Sequence, residues 1–270
     1  MTTMDHAGTV CSRFSARAHT YTDYAHVQRT LAQQLCALLP AERPATPVLE
    51  VGCGTGLLTQ CMLRKWPGVK IHAIDIAPGM IRRAAQVLPD SRGVRWIVAD
   101  AAHYRAPSPY ALVASNCALH WVHPFQDGLR SLAMLVAPGG CFAAVIMLEG
   151  TLAELREARL RAAPDKPPAG RLPTFAEVED GLHANGLQIT YASEEKKDTS
   201  NLSAREILRM IHDQGLTGGH VSRSHAPLTR REIETLVREY EFNFRTPDGF
   251  VRASYRVGFF IARKPDAPHE

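Results

Sequence analysis

The stretch VLEVGCGTG, residues 48–56, decides the fold: a short apolar strand holding one acid, Glu50, then Gly52, Gly54 and Gly56, then a helical pattern from Leu57 to Trp66. Glycines in such a turn let backbone N–H groups at a helix N-terminus approach a ligand closely, because no Cβ stands in the way. The turn alone does not choose among nicotinamide, flavin and nucleotide sites, and a purely structural turn stands beside them. The spacing narrows the choice: it is G-x-G-x-G, not G-x-G-x-x-G, and Glu50 lies two residues before the first glycine. An anion there repels phosphate and accepts from an ammonium, which favours a ligand with an amino group over a diphosphate.

Outward from this turn, apolar runs at 48–51, 69–74, 94–98, 111–115 and 141–147 alternate with helical patterns at 24–39, 57–66, 78–88 and 124–136. Continuously apolar strands with helices between them predict a parallel sheet covered on both faces. Asp75 ends the second strand 19 residues after Gly56, where an acid grips ribose hydroxyls. Asp100 and Asn116 end the next two strands, so polar groups recur along one carboxyl edge, the edge at which open α/β sheets bind ligands.

Beyond residue 148 the pattern changes. Four S/T-x-x-E capping boxes, at Thr151, Thr174, Ser203 and Thr229, predict helix starts, and residues 163–170, with three prolines and a glycine, predict a mobile loop or lid hinge. Runs at 187–192 and 251–262 predict two final strands. The fold class is therefore α/β, a doubly wound, Rossmann-like, mostly parallel sheet of seven strands with an N-terminal lid helix and a helical cap. Its divisions are a lid segment (1–45), a ligand-binding core (46–148), a cap insertion with the last strands (149–264) and a tail (265–270).

The chain has 270 residues, 45% hydrophobic and 21% charged, which excludes disorder, collagen, coiled coil and a small disulfide scaffold. No apolar run is long enough to span a membrane and no signal-peptide pattern opens the chain, so a cytoplasmic protein is expected. The net charge of +4 permits an acidic partner. Residues 205–256 hold nine arginines against seven acids without aromatic interleaving, which reads as solvated surface; nucleic acid is not an expected partner. The six cysteines, Cys11, Cys36, Cys53, Cys61, Cys117 and Cys141, form no CxxC pair and read as reduced structural thiols.

The glycine loop with Glu50, Asp75, Asp100 and Asn116 resembles the class I S-adenosylmethionine-dependent methyltransferases. The flanks RFSARAHTYTDYAHVQ (13–28), SNCALHWV (115–122), GTLAELREA (150–158), RLPTFAEVE (171–179), LTRREI (228–233) and YRVGFFIARK (255–264) are similar to the malonyl-acyl carrier protein O-methyltransferases of biotin synthesis. Two positions depart from that pattern, His212 and Ala137, where the family often carries a basic residue.

The resemblance implies S-adenosylmethionine as cofactor, without metal. Its contacts would be Tyr21, Gln28, Glu50, Gly52, Cys53, Gly54, Asp75, Ile76, Met80, Asp100, Ala101 and Asn116. It also implies methyl transfer to the free carboxylate of a malonyl thioester on an acidic acyl carrier protein or coenzyme A. Tyr21, His120, Trp121, Arg171 and Tyr255 are the expected substrate contacts, with Arg171 as the cation that orients the carboxylate. A malonyl carboxylate is already ionised at neutral pH, so no acid–base residue is required. A related carboxyl or small-molecule methyltransferase and a non-catalytic S-adenosylmethionine-binding protein remain the alternatives.

Overall fold

Seven strands form one sheet: β1 (Val48–Val51), β2 (Ile71–Asp75), β3 (Val94–Val98), β4 (Tyr110–Asn116), β5 (Val136–Met147), β6 (Gln188–Leu202) and β7 (Val251–Arg263), in the order β3-β2-β1-β4-β5-β7-β6. The first five are parallel, and β7 runs antiparallel to both neighbours. This computed structural model describes residues 3–168, 170–216 and 226–266. Ala169 of the expected loop and residues 267–270 of the expected tail lie outside the described residues.

The apolar strands are covered on both faces. In β5, Cys141, Ala143, Val145 and Met147 face a core with Leu31, Leu35, Leu58 and Met62. Phe142, Ala144 and Ile146 face the opposite core with Leu129, Leu132, Val178 and Leu182. Two-sided burial is why these strands read as unbroken apolar runs. The first core is built on α2 (His26–Leu38) and α3 (Leu57–Lys65), the second on α5 (Phe125–Met134) and α7 (Phe175–Ala184). A fifth helix, α4 (Pro78–Val87), starts on Pro78, whose missing N–H is no loss in a first turn.

Three features depart from the sequence expectations. The helix expected from residue 24 breaks at Ala25, and a separate 22-residue helix, α1 (Thr3–Tyr24), precedes it. Thr151 does not cap a helix: its hydroxyl donates to the Arg256 carbonyl and accepts from the Arg256 N–H, and α6 (Ala153–Ala162) begins after Leu152 without a side-chain cap. Its would-be capping partner, Glu154, instead accepts from the Ser254 N–H and hydroxyl. The other boxes form as expected, at α7, α8 (Ala204–Asp213) and α9 (Arg230–Asn243). Finally, β6 extends ten residues beyond the expected run, its polar stretch held by register with β7, from Gln188 opposite Arg263 to Leu202 opposite Val251.

The helix α1 lies across the sheet edge on α4. Phe14, Ala18 and Tyr21, on one helical face, meet Ala77 and Met80. A Cβ at Gly79 would sit 2.4 Å from the Ser15 carbonyl oxygen, so glycine permits this approach, and the Gly79 N–H donates to Ser15 Oγ at 3.2 Å. On its other side Thr20 Oγ1 donates to the Asp213 carbonyl at 2.8 Å, and Thr22 Oγ1 donates to Thr55 Oγ1 in the glycine turn at 3.0 Å. No helix among the described residues is long and apolar enough to cross a membrane.

Candidate active site at the carboxyl edge

A cavity of about 600 Å³, within the usual range for small-molecule sites, opens at the carboxyl edge beneath α1. Following the strand order from β3 to β7, its wall presents Asp100, Asp75, Gly52, Asn116, Met147 and Tyr255 in turn. Five strand spacings make that row about 24 Å long.

At one end Asp75 is fixed by the chain itself: Oδ2 accepts from the Gly54 N–H at 2.9 Å and Oδ1 from the Ala77 N–H at 2.8 Å. Burial pushes its pKa up and those two donors oppose the shift. Asp100 accepts from the Ala102 N–H at 3.0 Å and meets His103 Nδ1 at 3.0 Å. Ile76, Met80 and Ala101 supply apolar wall between these acids. Gly52 and Gly54 both have positive φ, +66° and +54°. A Cβ at Gly52 would lie 2.1 Å from that of Ala118, whereas at Gly54 it would meet nothing within 4 Å, so the backbone forms an open cradle there.

In the middle, Asn116 Nδ2 donates to the Gln28 carbonyl at 3.0 Å and Gln28 Nε2 donates to Gln214 Oε1 at 3.2 Å. Gln28 Oε1 is buried without a hydrogen-bond partner, an acceptor suited to a ligand ammonium. Tyr21 reaches in from α1. Burial, with Cys117 and Asp75 nearby, pushes its phenol pKa far up, so it stays a neutral donor. His120 and Trp121 line the cavity from a short 3₁₀ turn, and Trp121 packs edge-on against Phe14 with ring centroids 5.2 Å apart.

Glu50, Cys53 and Arg171 are the expected site residues that do not line the cavity. Glu50 is buried behind the glycine turn, where Thr59 Oγ1 donates to it at 2.5 Å. Burial raises its pKa to about 8. The Cys53 thiol is buried in the core instead. Arg171 stands on the surface, where its guanidinium forks onto Glu177 at 2.6 and 2.5 Å. The capping box of α7 fixes that carboxylate within Arg171's reach, and the pairing holds Glu177 down to about 2. The loop before it is tied rather than free at one point: Lys166 pairs with Glu232 at 2.8 Å.

Sequence reasoning missed Phe14, Met147, Leu152, Ile211 and Leu216 as cavity walls. The spacing of Phe14, Ala18 and Tyr21 carried a signal for the first, whereas Ile211 and Leu216 reach the site only through the packing of α8 on α1. All six cysteines are free; burial raises the pKa of Cys53 and Cys117, and that of Cys141 to about 11.

Known proteins resemble this chain in sequence and fold. Residues 48–140 match the Methyltransferase domain family. A malonyl-[acyl-carrier protein] O-methyltransferase of Ilyobacter polytropus is 34% identical, over 87% of this chain and 87% of that protein. Its counterpart from Halorhodospira halophila is 30% identical over 90% of this chain and 83% of its own length. The solved YcgJ protein of Bacillus subtilis shares the fold with a TM-score of 0.63 at 14% identity, covering 90% of this chain and all of that one. This chain belongs to the malonyl-acyl carrier protein O-methyltransferases, a family of S-adenosylmethionine-dependent enzymes.

Proposed function

We propose that this enzyme transfers the methyl group of S-adenosylmethionine to the free carboxylate of a malonyl thioester carried on an acidic acyl carrier protein. The product is the methyl ester that primes pimeloyl synthesis for biotin. The observation that carries the reading is the order of groups along the cavity: paired acids and an open glycine cradle under β3, β2 and β1, then apolar walls from β5, α8 and β7.

The residues fit the cofactor. Asp75 would accept from its ribose hydroxyls, Asp100 and Ala101 would border the adenine, and the unpartnered Gln28 Oε1 would accept from its ammonium. When bound, S-adenosylmethionine supplies a sulfonium methyl open to in-line displacement. His120 and Trp121 face the substrate beside Asn116, and α1 covers both molecules. Holding reactants in a near-attack arrangement supplies about 7–11 kcal/mol of a barrier. Phe14 and Tyr21 would shield the reacting groups from water, and because carboxylate and sulfonium neutralise each other as the methyl moves, a site of low polarity favours the step. No side chain has to move a proton.

Mass spectrometry of purified enzyme incubated with S-adenosylmethionine and malonyl-acyl carrier protein, malonyl-coenzyme A or free malonate tests the reading. A methyl ester on either thioester is the expected result. Ester on the free diacid alone refutes the substrate, and cofactor binding without any S-adenosylhomocysteine refutes catalysis.

A further inference from the structure

We infer that the substrate carboxylate is held by two neutral phenols, those of Tyr21 and Tyr255, rather than by a cation. The inference rests on the proposed malonyl substrate. No lysine or arginine among the described residues lines the cavity, and Arg171 is committed to Glu177 outside it. Among the described residues, a free carboxylate that enters is met by other donors.

Three polar side chains of the cavity wall already have protein partners. Gln28 Nε2 gives one N–H to Gln214, Asn116 Nδ2 gives one to the Gln28 carbonyl, and Thr151 Oγ1 gives its only proton to the Arg256 carbonyl. The hydroxyls of Tyr21 and Tyr255 make no hydrogen bond to any described residue, yet both residues line the cavity.

The topology places them on opposite walls. Met147, the last residue of β5, pairs with Val257 of β7. Tyr255 lies two residues earlier on the antiparallel strand, so it shares a face with Val257 and stands beyond the carboxyl end of β5, over the cavity. Tyr21 comes from α1 in the roof. Burial keeps both phenols protonated, Tyr255 by burial alone.

Neutral donors suit the chemistry. A hydrogen bond from a phenol to a carboxylate is short and charge-assisted, and it orients the group. It leaves more negative charge on the attacking oxygen than a bidentate guanidinium would. The substrate anion then finds its counter-charge in the cofactor's sulfonium, and that pairing is consumed by the reaction itself.

Steady-state kinetics of Tyr255→Phe and Tyr21→Phe with malonyl-acyl carrier protein, beside calorimetric titration of S-adenosylmethionine, test this. Loss of a hydrogen bond to a charged group is expected to raise KM for the thioester about tenfold or more in each variant. In Tyr255→Phe the cofactor Kd stays at the wild-type value, which also shows that the variant is folded. Wild-type KM in both variants, or a rise in KM confined to His120→Asn, overturns the phenol assignment while leaving the substrate intact. Absence of malonyl ester from the wild-type enzyme removes the substrate reading and the phenols with it.

Discussion

Glu50 shows how one buried atom pair changes the meaning of a motif residue. As a sequence feature it reads as an acceptor for the ligand's ammonium; in the fold its carboxylate is turned back to Thr59 and buried. Burial raises its pKa to about 8, above the ordinary value near 4.5. The folded protein thus keeps a proton that the unfolded chain releases, and this group's contribution to stability falls as pH rises from about 4.5 to 8, then levels off. Glu50→Gln is expected to remove that slope. Urea unfolding at several pH values from 5 to 8 should show the variant gaining on the wild type by on the order of 1 kcal/mol or more as pH rises. A constant difference across the range would show that Glu50 is ionised throughout. Arg171 makes the complementary point: its residue type suited a carboxylate, but a nearer one, Glu177, takes it.

At the scale of elements, β1, β2, β4 and the later part of β5 were legible because burial on both faces writes itself as apolar runs, and the capping boxes at Thr174, Ser203 and Thr229 were legible because their partners are three residues away. Thr151 has the same letters, but its hydroxyl is claimed by the backbone of Arg256, 105 residues on. The distal half of β6 escaped for a similar reason: residues such as Glu194, Glu195, Lys196 and Lys197 carry no apolar alternation, and pairing with β7 holds them extended. An N-terminal lid helix was expected, but the bounds and docking of α1 escaped because its partners, Gly79 and Asp213, lie far along the chain. Its docking makes a prediction. Gly79→Ala adds a Cβ 2.4 Å from the Ser15 carbonyl, so α1 must shift off α4. Calorimetry is expected to show several-fold weaker S-adenosylmethionine binding with cooperative unfolding retained, whereas the control Gly8→Ala, where nothing lies within 4 Å, keeps wild-type affinity.

Across the whole molecule, the +4 charge acquires an address only in part. Arg205, Arg209 and Arg231 are exposed on α8 and α9, and none makes an ion pair with a described residue. Such charges steer an acidic partner over distances that salt shortens. kcat/KM for malonyl-acyl carrier protein is accordingly expected to fall as salt rises from roughly 0.05 to 0.3 M, while a small uncharged-carrier malonyl thioester holds its value. Equal salt sensitivity for both substrates would remove the carrier from the explanation.

The sheet order also governs how the chain assembles as it is synthesised. The last of the seven strands to emerge, β7, occupies the place between β5 and β6. Until it is made, the apolar edge of β5 from Phe142 to Met147 has no neighbour on that side and β6 has no route into the sheet. At about 5–20 residues per second, the growing chain carries that open edge for several seconds after β5 is complete. The wall that bears Tyr255 is therefore the final one to close, and the earlier-made half of the cavity, under β3, β2 and β1, waits on it.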